Sequence, residues 1–314
     1  MAIDTAALSP FEPGTFAGLP RLGRDNAPVA AILGVPFDLG RNGYRIGSRQ
    51  GPDAIRRAAQ PDRRYLFHSD RDFLSELGVV DCGNVGLVPS ETEEAFAAIE
   101  AAAAAIHAVG TLPITMGGDG AVTLPQLRAA YQKYGQLAVV HCDAHTDAWD
   151  VEGTGRYTTT STFLRAHEEG LIAPEATFHI GARGMLSSLG GALTNLSPLG
   201  QQIITMDYFA DQGPAAVAAH VKSVLGDRPV YICWDMDFFD PSAAPGVAVP
   251  EWGGATPREG ISLLRAFGAL NTVAFDINTV SPPHDVQNMT AHLAGRVIME
   301  FLELTAGKRA NTPS

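Results

Sequence analysis

The chain has 314 residues, 46% hydrophobic and 18% charged, with 22 lysines and arginines against 34 aspartates and glutamates, for a formal net charge of −12. That much apolar content excludes a disordered chain and gives one large core as the first expectation. The negative charge, without any Lys/Arg block, argues against nucleic acid or anionic lipid as a partner and for a small molecule.

Apolar, β-branched runs alternate with helix-like segments along the chain. A strand over 29–35 precedes a helix over 52–59. An Ala-rich helix over 90–109 opens on a Ser90/Glu93 capping pair. A strand over 112–116, a helix over 124–134 and strands over 137–141, 177–180 and 203–206 follow. A helix over 215–225, a strand over 230–234, a helix over 257–267, a strand over 272–277 and a helix over 286–304 complete the series. This alternation predicts an α/β fold, a mostly parallel sheet covered on both faces. One domain is expected over 28–305, between an N-terminal extension (1–27) and a C-terminal tail (306–314), with the first 25 or so residues and those from Lys308 mobile.

The most apolar stretch, Ala95 to Val109, is interrupted by Glu100 and His107 and falls short of the roughly 20 apolar residues that cross a bilayer. Three cysteines, Cys82, Cys142 and Cys233, form no C-x-x-C pair, and no charged-then-apolar leader opens the sequence. A cytoplasmic location is expected, with no membrane partner.

In such a sheet ligands gather beyond the carboxyl ends of the strands. After the run 137–140 comes His141-Cys142-Asp143-Ala144-His145-Thr146-Asp147, where Asp143, His145 and Asp147 share a face by the two-residue period of extended chain. After 230–233 comes Trp234-Asp235-Met236-Asp237, which puts Asp235 and Asp237 on one face. Four carboxylates and an imidazole meeting at strand ends repel one another unless a cation sits among them. Aspartates also cluster at strand ends as caps and turn formers, so a lone Asp-x-His-x-Asp is open to either reading; a second acidic pair favours a divalent metal. Carboxylate and imidazole donors suit Mn²⁺, Fe²⁺, Ni²⁺, Co²⁺ or Zn²⁺ better than Ca²⁺. The Gly-rich turn Gly117-Gly118-Asp119-Gly120 lacks the P-loop lysine and the dinucleotide spacing, and no G-x-S-x-G elbow is present. Trp149 and Trp234, beside these motifs, are read as packing residues. His68, His107, His167, His179, His220, His284 and His292 are assigned no role.

These segments resemble the ureohydrolase family of arginases, agmatinases and guanidinobutyrases. The matches are GVPFD (34–38), GP-x-AIR (51–56), GGD (117–119), DAHTD (143–147), DMDFFDPSAAPG (235–246), PE-x-GG (250–254) and VSPPHD (280–285), in order over roughly 28–300. The resemblance implies an arginase/deacetylase-like three-layer sandwich. It also implies two divalent metals, usually manganese and in some members nickel, that make a nucleophile from water and attack a guanidinium carbon. Carried over residue by residue, the first metal takes Asp143, Asp147, Asp235 and a His at the position of Gly120. The second takes Asp143, His145, Asp235 and Asp237, all present. The resemblance also implies a proton-transferring His where Thr159 stands and a guanidinium-pairing Glu where Thr279 stands; Glu251 is retained. His141 lies two before Asp143, but relatives with the ordinary His carry one there too, so it is not assigned as a replacement.

These departures imply a degenerate site, with zero or one ion (Ni or Mn) in this chain. The leading expectation is a supporting, non-catalytic subunit beside a homologous catalytic ureohydrolase chain, in a trimer or hexamer acting on a small guanidine-type substrate. A second reading is an active amidinohydrolase using only the four-ligand site, whose Asp143, His145 and Asp235 resemble a single-zinc deacetylase centre. A third is a sensor that binds a guanidine without cleaving it.

Overall fold

The computed structural model describes residues 8, 14–23, 28–39, 45–60, 64–150, 155–185 and 199–310. Eight strands form one sheet: β1 (Ala30–Gly34), β2 (Val80–Asn84), β3 (Leu112–Met116), β4 (Leu137–Cys142), β5 (Ile172–Ala182), β6 (Gln202–Thr205), β7 (Val230–Asp235) and β8 (Thr272–Asn278). Their order is β2-β1-β3-β8-β7-β4-β5-β6 and every pairing is parallel. The helices are α1 (Gly51–Ala58), α2 (Phe73–Glu76), α3 (Thr92–Ala108), α4 (Thr123–Tyr134), α5 (Thr162–Glu168), α6 (Met206–Gln212), α7 (Pro214–Leu225), α8 (Pro257–Ala266) and α9 (Met289–Ala310).

The sheet is buried on both faces, so alternate strand residues feed two separate cores. Ile32, Val140, Ile232 and Trp234 pack with α1, α7, α8 and α9 on one side, while Leu33, Val139 and Tyr231 pack with α3, α4 and α5 on the other. This is the three-layer arrangement expected. Trp234 is fully buried and packs edge-on against Phe238, in keeping with a packing role.

β2 escaped the sequence reading because its run, Val-Asp-Cys-Gly-Asn, is broken by polar residues. Asp81 is buried there because the Arg56 guanidinium of α1 meets it with two bonds of 2.9 Å and also donates to Gly83 O. A planar fork on a carboxylate satisfies both charges in a dry site, which explains the arginine in the GP-x-AIR segment. Gly51 opens α1 where a Cβ would lie 2.7 Å from Val280 O.

Several boundaries differ from expectation. α3 begins at Thr92 with Glu91 as its N-cap and no side-chain capping bond, so the Ser90/Glu93 pair does not form the cap. Met206, expected to end a strand, opens α6, because Thr205 Oγ1 caps it by accepting from Tyr208 N at 3.2 Å. The helices α2, α5 and α6 are too short for a helical period to stand out. At the N-terminal side, Phe16, Ala17 and Leu19 are buried in the core, and α9 continues through Lys308 to Ala310 with Ala306 buried. The N-terminal segment, expected to be mobile, is anchored by apolar contacts over Phe16 to Leu19, while Lys308 to Ala310 are helical but exposed. Among the described residues no helix is long and apolar enough to cross a membrane, and all three cysteines are free and buried.

Candidate metal centre

β4 and β7 are neighbours at the middle of the sheet, paired so that Cys142 lies opposite Trp234. The register therefore delivers Asp143 and Asp235 side by side at the carboxyl edge. The turn after β3 adds Gly117 to Gly120, and the end of β8 adds Asn278 and Thr279. The neighbouring strands β7 and β4 connect onward in opposite directions, β7 to β8 on one side and β4 to β5 on the other, so this edge is the switch point where an open α/β sheet forms its crevice.

Asp143 lies at the centre of the cluster. Its Oδ1 accepts from His145 N at 2.5 Å and lies 3.1 Å from His145 Nδ1, and its Oδ2 lies 2.8 Å from His141 Nε2. His145 Nδ1 is also 3.1 Å from Asp237 Oδ2, while Asp237 Oδ1 accepts from Ala144 N at 2.9 Å. Asp147 has φ +47, a left-handed turn that swings its carboxyl back toward the strand end.

Two groups of donors converge, each offering one atom within 4.8 Å of the others: Asp143, His145 and Asp237, and His141, Asp143 and Asp147. Asp235 joins neither. Its Oδ1 accepts from Asp237 N at 2.7 Å and from the Thr279 hydroxyl. The structure thus brings together Asp143, His145 and Asp237 as the sequence predicts and turns Asp235 toward Thr279. It adds His141, which the sequence reading set aside.

Burial and crowding push these groups far from their ordinary titration. Desolvation, with the charges of Asp143 and Asp237, raises the Asp147 and Asp235 carboxyls well above the usual range. Burial opposes the charge of Asp143 too, but His141 and His145 outweigh it and hold that carboxyl below its usual value. Burial likewise opposes a charge on His145, which Asp237 and Asp143 override, raising its pKa. Acidic groups held this close in a dry site are a divalent-cation environment, and the donor set fits one such ion at Asp143, His145 and Asp237.

The other group lies beside Gly120. Gly120 has no side chain, and a Cβ built on it would meet Thr159 Cγ2 at 2.8 Å and Asp147 Oδ2 at 3.1 Å. The position points at Asp147, as a ligand would, but its space is taken by the Thr159 methyl. Thr159 opens a short 3-10 turn before α5, fixed by a Thr158/Ser161 capping box. Thr279 has φ +62, a left-handed conformation unusual for a β-branched residue. The Glu251 side chain packs over Gly184, where a Cβ would lie 2.4 Å from the Glu251 carboxyl carbon, and Glu251 O accepts from Arg183 at 2.8 Å. Arg183 also donates to Asp237 O at 2.7 Å, tying the Glu251 loop to the acidic cluster.

His179, assigned no role from the sequence, lies in the core at 0% exposure. It lies opposite His141 in the β4/β5 register, with their Nδ1 atoms 2.9 Å apart, and its Nε2 is 2.8 Å from Gln201 Oε1. Only the pairing of two distant strands reveals this.

Fold and site together define an open parallel α/β sheet that carries a cluster of buried carboxylates and imidazoles at its carboxyl edge. The arginase family matches residues 29–303, and the chain belongs to that family. Guanidinopropionase of Pseudomonas aeruginosa is 36% identical over 300 residues, covering 95% of this chain and 93% of that protein. Agmatinase of Proteus mirabilis is 34% identical over 282 residues, covering 88% of each. Among solved structures, proclavaminate amidino hydrolase from Streptomyces clavuligerus superposes with a TM-score of 0.87 at 32% identity, covering 95% of this chain and 99% of that one.

Proposed function

We propose that this chain is the supporting subunit of a hetero-oligomeric amidinohydrolase, beside a homologous chain with a complete centre. The substrate would be a small guanidine or biguanide, and the chemistry would be of the metformin hydrolase kind, in which water and the biguanide give dimethylamine and guanylurea. The observation that carries this reading is Gly120 against Thr159: the place for an imidazole beside Asp147 is occupied by a methyl group. A divalent ion, Ni or Mn, would supply Lewis-acid activation of water where it is bound. In this chain Asp143, His145 and Asp237 would hold at most one such ion, Asp147 would face the incomplete half, and Thr279 would keep the Asp235 carboxyl engaged. A missing general acid or base alone typically lowers rate by 10²- to 10⁴-fold, and Thr159 and Thr279 offer neither an imidazole nor a carboxylate.

The test is to purify this chain and an intact family member separately and together and to measure amine release from a biguanide. Activity is expected only from the mixture, with trimeric or hexameric assembly by light scattering. Full activity without this chain overturns the reading.

A second reading is an active single-ion amidinohydrolase acting on a guanidino acid or amine. The identity to guanidinopropionase over 95% of this chain supports it. Turnover of 3-guanidinopropionate or agmatine by the purified chain alone, lost in Asp237→Ala, would decide for it.

A further inference from the structure

We infer that His141, His179 and Gln201 form a chain of positioning residues that fixes the Asp143 carboxylate, and with it the ligand geometry at the ends of β4 and β7. This deepens the reading of Asp143 as a metal ligand and rests on it.

The contacts run without a gap from the acidic cluster to the start of β6. Asp143 Oδ2 is 2.8 Å from His141 Nε2, the two Nδ1 atoms of His141 and His179 are 2.9 Å apart, and His179 Nε2 is 2.8 Å from Gln201 Oε1. Both rings are shut away from solvent, at 1% and 0% exposure, and Gln201 is 7% exposed. Each imidazole thus spends both nitrogens on buried neighbours, and neither can turn without breaking two contacts. Phe163 closes the remaining side, its ring centroid 4.4 Å from that of His141 and 5.2 Å from that of His179.

Packing alone does not require this chemistry, since apolar residues would fill the same space without buried polar atoms that must be satisfied. A linear chain of hydrogen bonds instead transmits orientation. Gln201 Oε1 accepts from His179 Nε2–H, so His179 Nδ1 is left to accept from His141 Nδ1–H, and the ring held in this way sets His141 Nε2 against one edge of the Asp143 carboxylate. The other edge is left for His145 and an ion. Outer partners of this type typically change metal affinity by 10- to 100-fold when removed. Gln201 directly precedes β6, so the chain also links the metal centre to the edge of the sheet, two strands away.

The experiment uses the full chain, with Co²⁺ alone as the probe ion, and compares it with Gln201→Met and His179→Phe. Calorimetry is expected to show binding weakened at least tenfold in both variants. In the same samples, the imidazole N–H resonances of His141, and in Gln201→Met those of His179 as well, slow to exchange in the parent, are expected to exchange with water. A role in packing alone leaves the Gln201→Met resonances and affinity unchanged at an unchanged melting temperature. Binding within twofold of the parent in both variants overturns the positioning role and leaves the metal reading standing. Failure of the parent chain to bind Co²⁺ overturns the metal reading and the positioning role with it. Should His179→Phe not fold, Gln201→Met decides.

Discussion

Gly120 and Thr159 occupy one space: a Cβ on the glycine would lie 2.8 Å from the threonine Cγ2, closer than carbon atoms approach without one of them moving. The two positions are therefore sterically coupled, and placing a histidine at one without changing the other is expected to fail. Gly120→His alone is expected to destabilise the chain by about 1–3 kcal/mol through overpacking without adding a metal ion. Combined with Thr159→Ser, which removes the methyl, it is expected to raise the metal content by one ion per chain. Elemental analysis after dialysis, with urea melts of both variants, checks this.

The separation of the two donor groups makes a second prediction. Asp237 belongs with Asp143 and His145, whereas Asp147 belongs with Asp143 and His141. Asp237→Ala is expected to abolish retention of an ion by the isolated chain, while Asp147→Asn leaves it. Loss of the ion in both variants to the same degree would mean that one ion is shared across all five residues. Metal titration followed by calorimetry distinguishes the two.

The architecture of this centre was legible in the sequence to the extent that it depends on short-range pattern. Alternation of strands and helices gave the covered parallel sheet, and the two-residue period gave Asp143 with His145, whereas Asp237 lies in a 3-10 turn after β7 and joins them without Asp235. That β4 and β7 are neighbours, so that these residues meet, follows from strand order and was carried by the family resemblance. β2 was hidden because its polar residues are matched by Arg56, a residue 25 positions away. His179 was hidden for the same reason, being opposite His141 only once β5 pairs with β4. The turn of Asp235 toward Thr279 depends on a backbone conformation that no residue pattern announces.

That conformation carries its own prediction. Thr279 holds φ +62 while its hydroxyl bonds to Asp235 Oδ1. A left-handed residue other than glycine costs about 1–2 kcal/mol, and a hydrogen bond to a carboxylate contributes about 1.5–3 kcal/mol where the group is charged. Thr279→Ala loses the bond and keeps the strain; Thr279→Gly loses the bond and relieves the strain. The glycine variant is expected to be the more stable of the two by about 1 kcal/mol, measured by urea denaturation. Equal stability would show that the backbone relaxes once the hydroxyl is gone.

A final prediction lies away from the centre, at His107 near the end of α3. Burial, reinforced by the Lys133 charge, lowers its pKa from 6.5 to about 4. Its ring packs edge-on against Tyr134 and its Nδ1 has no hydrogen-bond partner among the described residues. Between those two values the unfolded chain binds a proton that the folded chain refuses, so stability rises with pH across the window. The contribution is complete above pH 6.5, declines as pH falls, and is exhausted below about 4, where both states are protonated. The loss should be on the order of 2 kcal/mol by pH 5. In His107→Leu the Lys133 bond to the residue 107 carbonyl is kept, because it is made by the backbone, and the buried base is gone. Urea melts at pH 7 and pH 5 are therefore expected to show a smaller stability difference in the variant than in the parent. An identical difference in both would mean that the ring finds water or a new acceptor when protonated.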